Sequence, residues 1–540
     1  MEIRSLLPQQ KTGAPLSGQF LKNSERANPA ATPALWLKRL LERLALVGIA
    51  STFFLLGYWY PIRLVAFSRN WVNNPHYSLV TRFNLQYQVI NLYPSDISAL
   101  ATIILWLLAL LVARIAGQQR ERLTLGPATL TLPFALLIAL TALSATQAIF
   151  PVLSLEIALH LLLILGFVLA LLNLRPPAWM IILPLVLLLM IEGTLALAQV
   201  TAQSTLFGAF LFHWKQDATA GQSGASVVQL PSGLRWLRAY GSIPQPNVLG
   251  GFLCLALPLV AGAFLRLPRN RRIAWALLGA LALGGIALLL SFSRAAWLGV
   301  LVGALWAGLL YWQRRTAEKV IPEDASEPHP SAPALASPMS LASTPVQTGG
   351  WRSRLAPARR FFSRRPVALG LVVVALLVGL ALALRPALQS RLLLDEPMEQ
   401  QSVSERIVLA EVSAVLIMQH PWLGVGAGNM PLVELAYPAT RAIGEPVHNL
   451  PLLIGAETGI LGLLLWLIPP ISLLWTTWRR RRTLPPAALA ASAALAALLV
   501  VAQLDHYLWS LPTGSLFYWL ALALVALWLR PAPENPSRNL

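Results

Sequence analysis

The run GEPVHNLPLLIGAETGILG at 444–462 sets a histidine, an asparagine and several glycines where an apolar stretch begins, and HPWLGVGAGN at 420–429 stands just ahead of it. The polar stretch leading there holds Arg385, Arg391, Arg406 and Arg441. Polar groups are costly beside hydrocarbon, so their clustering at the end of an apolar segment points to function. Arginine suits oxyanions, because its planar fork makes paired hydrogen bonds and stays charged at any working pH. Histidine, with an ordinary pKa of about 6.5, suits the removal of a proton from a hydroxyl near neutrality. These residue types point to an anionic substrate and a proton transfer.

Such residues need a frame, and composition defines it. With 56% hydrophobic residues, 12% charged residues and a mean hydropathy of +0.63, the chain is an integral membrane protein. A helix needs about 20 apolar residues to cross the hydrocarbon, and the apolar stretches predict an all-α polytopic protein of about twelve transmembrane helices. These fall near 44–64, 96–115, 127–145, 151–172, 177–198, 246–266, 272–290, 294–313, 367–384, 449–475, 486–503 and 513–529.

A net charge of +19 would point to nucleic acid in a soluble protein. Here most basic residues gather in alternate segments, at 1–43, 114–122, 266–272, 314–365 and 479–482. The positive-inside rule then places both termini in the cytoplasm, with membrane lipids rather than nucleic acid as partners. Residues 1–43 read as a disordered cytoplasmic tail, 44–313 as spans 1–8 with an outer loop at 199–245, and 314–365 as a basic Pro/Ala/Ser-rich cytoplasmic linker. Residues 366–530 hold spans 9–12 and a long outer catalytic loop at 385–448, between spans 9 and 10, and 531–540 form a second tail. Cys254 is the single cysteine, which excludes an intrachain disulfide or a thiolate metal cluster. No cofactor is expected.

Three spans that run inward begin with unusual residues: Pro246 and Asn247, Ser293 and Arg294, His448 and Asn449. A helix N-terminus carries unpaired N–H groups and about half a positive charge, so three on one side form an anion site if they converge. Proline in a first turn and serine at a cap are also ordinary structural choices. Gly424, Gly426 and Gly428 either form a backbone nest for the anion or permit a tight turn, and the turn is the preferred reading. In the outer loop, Val403, Ile407, Ala410 and Ala414 recur at helical spacing, predicting a surface helix with Arg406 near its start.

GSIPQPNVLGG at 241–251, SFSRAAWLG at 291–299, SER at 404–406, HPWLGVGAGN and HNLPLLIGAETGILG at 448–462 together resemble the O-antigen ligase and polymerase superfamily, with its Wzy_C central domain. The resemblance covers about residues 240–470, and LDHYLWSLPTGSLFYWL at 504–520 agrees more weakly. It implies transfer of a glycan from an undecaprenyl-pyrophosphate carrier to a lipid, glycan or protein acceptor at the outer face of the cytoplasmic membrane. By the same resemblance Arg294, Arg406 and His448 are the catalytic positions. Asn247, Ser293, Asn449, Arg238, Gly426, Gly428 and Glu445 complete the candidate substrate-binding set. The chain departs from the family pattern at Ala295, where glycine often follows SR, and in the 314–365 insertion.

Displacing a sugar from pyrophosphate builds negative charge on the leaving oxygen, which cations and fixed dipoles stabilise. His448 is either the base or a pyrophosphate ligand. The chain has no Asp-x-Asp pair, so metal-independent, inverting transfer is expected, with no metal ligands assigned. Lower weight goes to Glu434, Asp395, Glu396 and Asp505 as bases or ion ligands, and to Lys215, Arg235, His213, Trp214 and Trp236 as glycan contacts. His160 reads as satisfied by a neighbouring helix. Alternatives within the enzyme class are a polysaccharide polymerase and a protein O-oligosaccharyltransferase. A flippase or exporter would need charges buried mid-span, and only Glu156, Glu192 and Glu457 qualify.

Overall fold

The computed structural model of the protein describes residues 31–58, 62–63, 91–118, 122–205, 218, 225–230, 232–266, 270–319, 374–375, 377–393, 397–438 and 444–530. Among these, the chain is helical almost throughout. The helices are α1 (Ala31–Leu55), α2 (Pro94–Ile115), α3 (Ala128–Ser144), α4 (Pro151–Leu174), α5 (Trp179–Ala202), α6 (Pro246–Leu265), α7 (Arg271–Leu290) and α8 (Arg294–Lys319). They continue with α9 (Arg385–Leu393), α10 (Pro397–Gln419), α11 (Met430–Val433), α12 (Leu450–Arg480), α13 (Pro486–Ala502), α14 (Tyr507–Ser510) and α15 (Pro512–Trp528). Two antiparallel strand pairs accompany them, β1 (Ile62–Arg63) with β2 (Asn91–Leu92), and β3 (Val227–Gln229) with β4 (Arg235–Leu237).

Helices α2, α4, α5, α6, α7, α8 and α12 are long and apolar enough to cross a membrane, and the shorter apolar helices α3, α13 and α15 pack among them. This is a multi-pass membrane protein. Proline in the first turn opens α2, α4, α6, α12, α13 and α15, where its fixed φ favours the helix and its missing N–H is no loss.

Helices α6, α13 and α15 form the centre, with almost every residue of α15 buried. Their packing rests on small residues. Built onto Gly299 or Gly303 of α8, a Cβ would lie 2.7 Å from Ala497 O or 2.6 Å from Ala493 O of α13, so the two backbones run in close contact. Since hydrocarbon gives apolar faces no reason to leave it, this close approach is what associates the helices.

Helix is present at each expected span, with two shifts. The first runs from Ala31 to Leu55 rather than 44–64, so residues 31–43 are helix and not tail, with Lys38 and Glu42 paired at 3.5 Å. The chain then turns at Leu56 and Gly57. Helix α8 continues to Lys319, into the first residues of the expected linker. Of the ninth span, residues 374–375 and 377–383 are helical. Most of the linker, the first 30 residues and 531–540 lie outside the described residues.

Candidate active site

Helix α5 fixes the segment that follows β4. Glu192 Oε2 accepts from Ser242 N at 2.8 Å, Gln199 Oε1 accepts from Tyr240 N at 3.0 Å and Gly241 N at 2.9 Å, and Gln203 Oε1 accepts from Leu237 N at 2.8 Å. The midspan Glu192 is thus an anchor. Held in this way, Arg238 donates from Nε to Ser291 O at 2.9 Å and from a terminal nitrogen to Asn247 Oδ1 at 2.6 Å.

The 291–293 turn between α7 and α8 is strained. Phe292 is fully buried at φ 48°, a left-handed conformation that bulky residues adopt only when packing enforces it. The strain aims consecutive carbonyls at arginines: Ser291 O takes Arg238, and Phe292 O takes Arg391 at 3.4 Å. Arg294 at the start of α8 donates to Arg391 O of α9 at 3.0 Å. Ser293 packs against α6, where a Cβ on Gly250 would lie 3.1 Å from its hydroxyl. The starts of α6 and α8 are therefore adjacent.

The third helix start joins them. Asn449 caps α12, accepting from Leu452 N at 3.0 Å and donating to Gln503 O at 3.1 Å. Beside it the His448 ring meets the His506 ring edge-on, with centroids 4.9 Å apart. Asp505 accepts from Asn247 Nδ2 at 2.9 Å and from His506 N at 2.9 Å. Contacts thus run Arg238–Asn247–Asp505–His506–His448, linking all three helix starts. His506 was not among the sequence candidates. The DH pair at 505–506, polar residues at the end of an apolar stretch, was the available signal.

Arg406 of α10 lies close enough for its charge to act on Glu445, His448 and His506. Its Nε is buried and has no hydrogen-bond partner among the described residues. Burial, then the His506 ring, pushes His448 down to about 3, with Arg406 adding to the fall and Asp505 opposing it. His506 is lowered too, chiefly by burial. Both rings are therefore neutral near pH 7. Glu445 is raised, first by burial and then by Asp505 and Glu405, against the pull of Arg406. Its Oε2 stands 4.0 Å from His448 Nε2.

Glu434 is fully buried, and burial followed by the nearby Glu445 raises it to about 9. A carboxyl raised in this way stabilises the fold fully below its ordinary value of 4.5 and loses that contribution as pH climbs to about 9. The two depressed histidines act oppositely, weakening the fold only as pH falls below about 6.5. Melting temperature should therefore decline between about pH 6.5 and pH 9, and Glu434→Gln should flatten that decline while leaving the acid limb intact. Thermal unfolding across this range in detergent checks it, and an unchanged alkaline slope in the variant would contradict it.

The glycine run is engaged within the protein. Helix α12 breaks at Gly459, which has φ 73°, and the 420–430 loop seals the break. Val425 N donates to Ala456 O at 2.9 Å, Gly426 N to Glu457 O at 3.0 Å, and Ile460 N to Pro421 O at 2.8 Å. The Gly428 and Met430 amides bond the Glu457 carboxylate, which also accepts from Trp509 Nε1 at 2.8 Å. The nest therefore holds an anion from the protein itself. A Cβ on Gly424 would lie 2.3 Å from the Glu457 carbonyl carbon, and one on Gly426 would lie 2.5 Å from Ala148 Cβ, so close packing requires glycine at both. The turn reading agrees with this geometry.

His160 is held by Pro512 O at 3.1 Å and Asp96 at 3.9 Å, as expected of a histidine satisfied by its neighbours. Helix α10 is present where a surface helix was expected; its buried stripe is Leu409, Val412, Ser413 and Leu416, while Ile407 and Ala414 are exposed on its outer side. Lys215, His213, Trp214, Asp395, Glu396 and Arg441 lie outside the described residues.

Residues 279–467 match the O-antigen ligase family, Wzy_C. The similarity to O-antigen ligases is confined to that stretch. No curated protein matches the chain significantly. The Wzy_C region contains Ser293, Arg294, Arg406, Glu445, His448 and Asn449, whereas Arg238, Asn247, Asp505 and His506 lie outside it. The cluster is thus completed by helices that flank the Wzy_C region on both sides.

Proposed function

We propose that the protein transfers a glycan from an undecaprenyl-pyrophosphate carrier to an acceptor hydroxyl at the outer face of the cytoplasmic membrane. The observation that carries this reading is the meeting of three helix N-termini beside Arg406 and a neutral His448, within a chain that matches O-antigen ligases. The acceptor oxygen attacks the anomeric carbon as His448 takes its proton, and the sugar–oxygen bond breaks with its electrons passing to the pyrophosphate. Arg406, Arg294 and the N–H groups at the starts of α6, α8 and α12 stabilise that leaving charge. A single displacement inverts the anomeric centre, and this set of groups requires no metal. The gathering of basic residues in alternate segments supports cytoplasmic termini and a cluster on the outer side.

The midspan carboxylates favour an enzyme over an exporter, because Glu192 and Glu457 are engaged within the protein rather than along a path. Polymerase and protein-glycosylating readings share this site and differ only in the acceptor. The test uses purified protein in lipid with an undecaprenyl-pyrophosphate glycan and separate lipid, glycan and protein acceptors. A glycosylated product with inverted linkage and released carrier pyrophosphate is expected, and none with any acceptor would refute the reading. In intact cells producing the protein, Ser402→Cys should react with an impermeant thiol reagent added outside. Reaction only after the inner face is opened would reverse the topology.

A further inference from the structure

The cluster also has the makings of a metal site. His448, Asp505 and His506 each offer one donor atom, and the three lie within 4.8 Å of one another. In a tetrahedral zinc shell such donors stand about 3.3 Å apart, so side-chain shifts of about 1.5 Å bring all three onto one ion. A second observation supports this: His448 Nδ1 is buried and has no hydrogen-bond partner among the described residues. A buried polar nitrogen in that state normally has a partner to meet.

The surroundings are arranged as they are around metal ligands. His506 Nδ1 meets Ser510 Oγ at 2.6 Å, which leaves Nε2 for an ion, and Asn247 holds the second oxygen of Asp505 at 2.9 Å. Glu445 stands 4.0 Å from His448 Nε2, the ring nitrogen other than the unpartnered Nδ1, where its carboxylate can orient the ring. Two carboxylates offset the charge of Arg406. Imidazole donors select zinc-class ions over magnesium or calcium, which prefer oxygen shells.

We propose that His448, Asp505 and His506 capture a divalent transition ion of the zinc class, and that the ion silences glycan transfer by occupying the histidine that must accept the acceptor's proton. The silencing rests on the proposed role of His448 as base, whereas the capture does not.

Purified protein in lipid is titrated with Co2+, then challenged with Zn2+ or Mg2+, and glycan transfer is measured alongside. One Co2+ per chain should bind with tetrahedral ligand-field absorption, be displaced by Zn2+ and not by Mg2+, and fail to bind to Asp505→Asn and His506→Gln. Saturating Zn2+ should slow transfer about a hundredfold, with recovery on chelation. X-ray absorption of the zinc-loaded wild type counts imidazole ligands independently of how the variants fold. Two are expected, and none or one overturns the site, as does equal Co2+ binding by both variants. Zinc capture without loss of transfer overturns the silencing. Chelator-induced loss of transfer that zinc restores also overturns it and makes the ion a requirement. No transfer under any condition, with capture intact, defeats the glycan-transfer reading and leaves the metal site standing.

Discussion

Arg406→Ala should slow glycan transfer about a hundredfold or more, the effect of removing roughly 3 kcal/mol of preorganised charge stabilisation. Arg406 has a buried Nε with no partner among the described residues, beside Glu445 and two neutral histidines. A guanidinium so placed keeps donor capacity for a substrate. Arg406→Lys should recover little of the loss, because an ammonium cannot reproduce the paired bonds of the fork to two phosphate oxygens. Arg294→Ala should be comparably slow, and it also removes the bond to Arg391 O that ties α8 to α9. Its melting temperature must therefore be measured beside its rate. Near-normal transfer by both alanine variants would remove the arginines from the mechanism, and full rescue by lysine would reduce their role to bulk charge.

His448→Gln should lose about a hundredfold or more in turnover, within the range that general bases contribute. In the free protein His448 is held down to about 3 by burial, then by His506 and Arg406. It is therefore unprotonated but weakly basic until a bound pyrophosphate adds opposing negative charge, which lifts its pKa toward the working pH. A base so tuned predicts an acid limb in the turnover profile that disappears in His448→Gln. If His448 only held pyrophosphate, the donor KM would rise and the acid limb would remain. That split, measured with saturating and subsaturating donor, separates the two roles.

The three helix starts were legible because proline, serine and asparagine at first turns mark where helices begin. Asn247, Ser293 and Asn449 do belong to adjoining helix starts. Less could be read where the decisive partner is remote in the chain. Asn247 meets Asp505 across 258 residues, and nothing local to either residue announces the other. The glycine run carried the right signal, a set of amides suited to an anion, but that anion is Glu457 inside the next helix. The helix of α10 was legible in its spacing, but the face that packs on the protein was not, because its apolar residues suit a lipid face as readily as a protein face. Only packing against α12 selects Leu409, Val412 and Leu416.

The break at Gly459 changes the electrical length of the helix behind His448. An unbroken α12 would keep its negative pole about 45 Å from the substrate anion, while the segment from Leu450 to Thr458 is only about 13 Å long. At that range the terminal carbonyls would oppose the attraction of their own N-terminus. The amides of Val425 and Gly426 close onto those carbonyls, so the 420–430 loop works as a shield that cancels the wrong end of a short dipole. The loop's bonds to these carbonyls thereby bear on how strongly the helix start draws an anion.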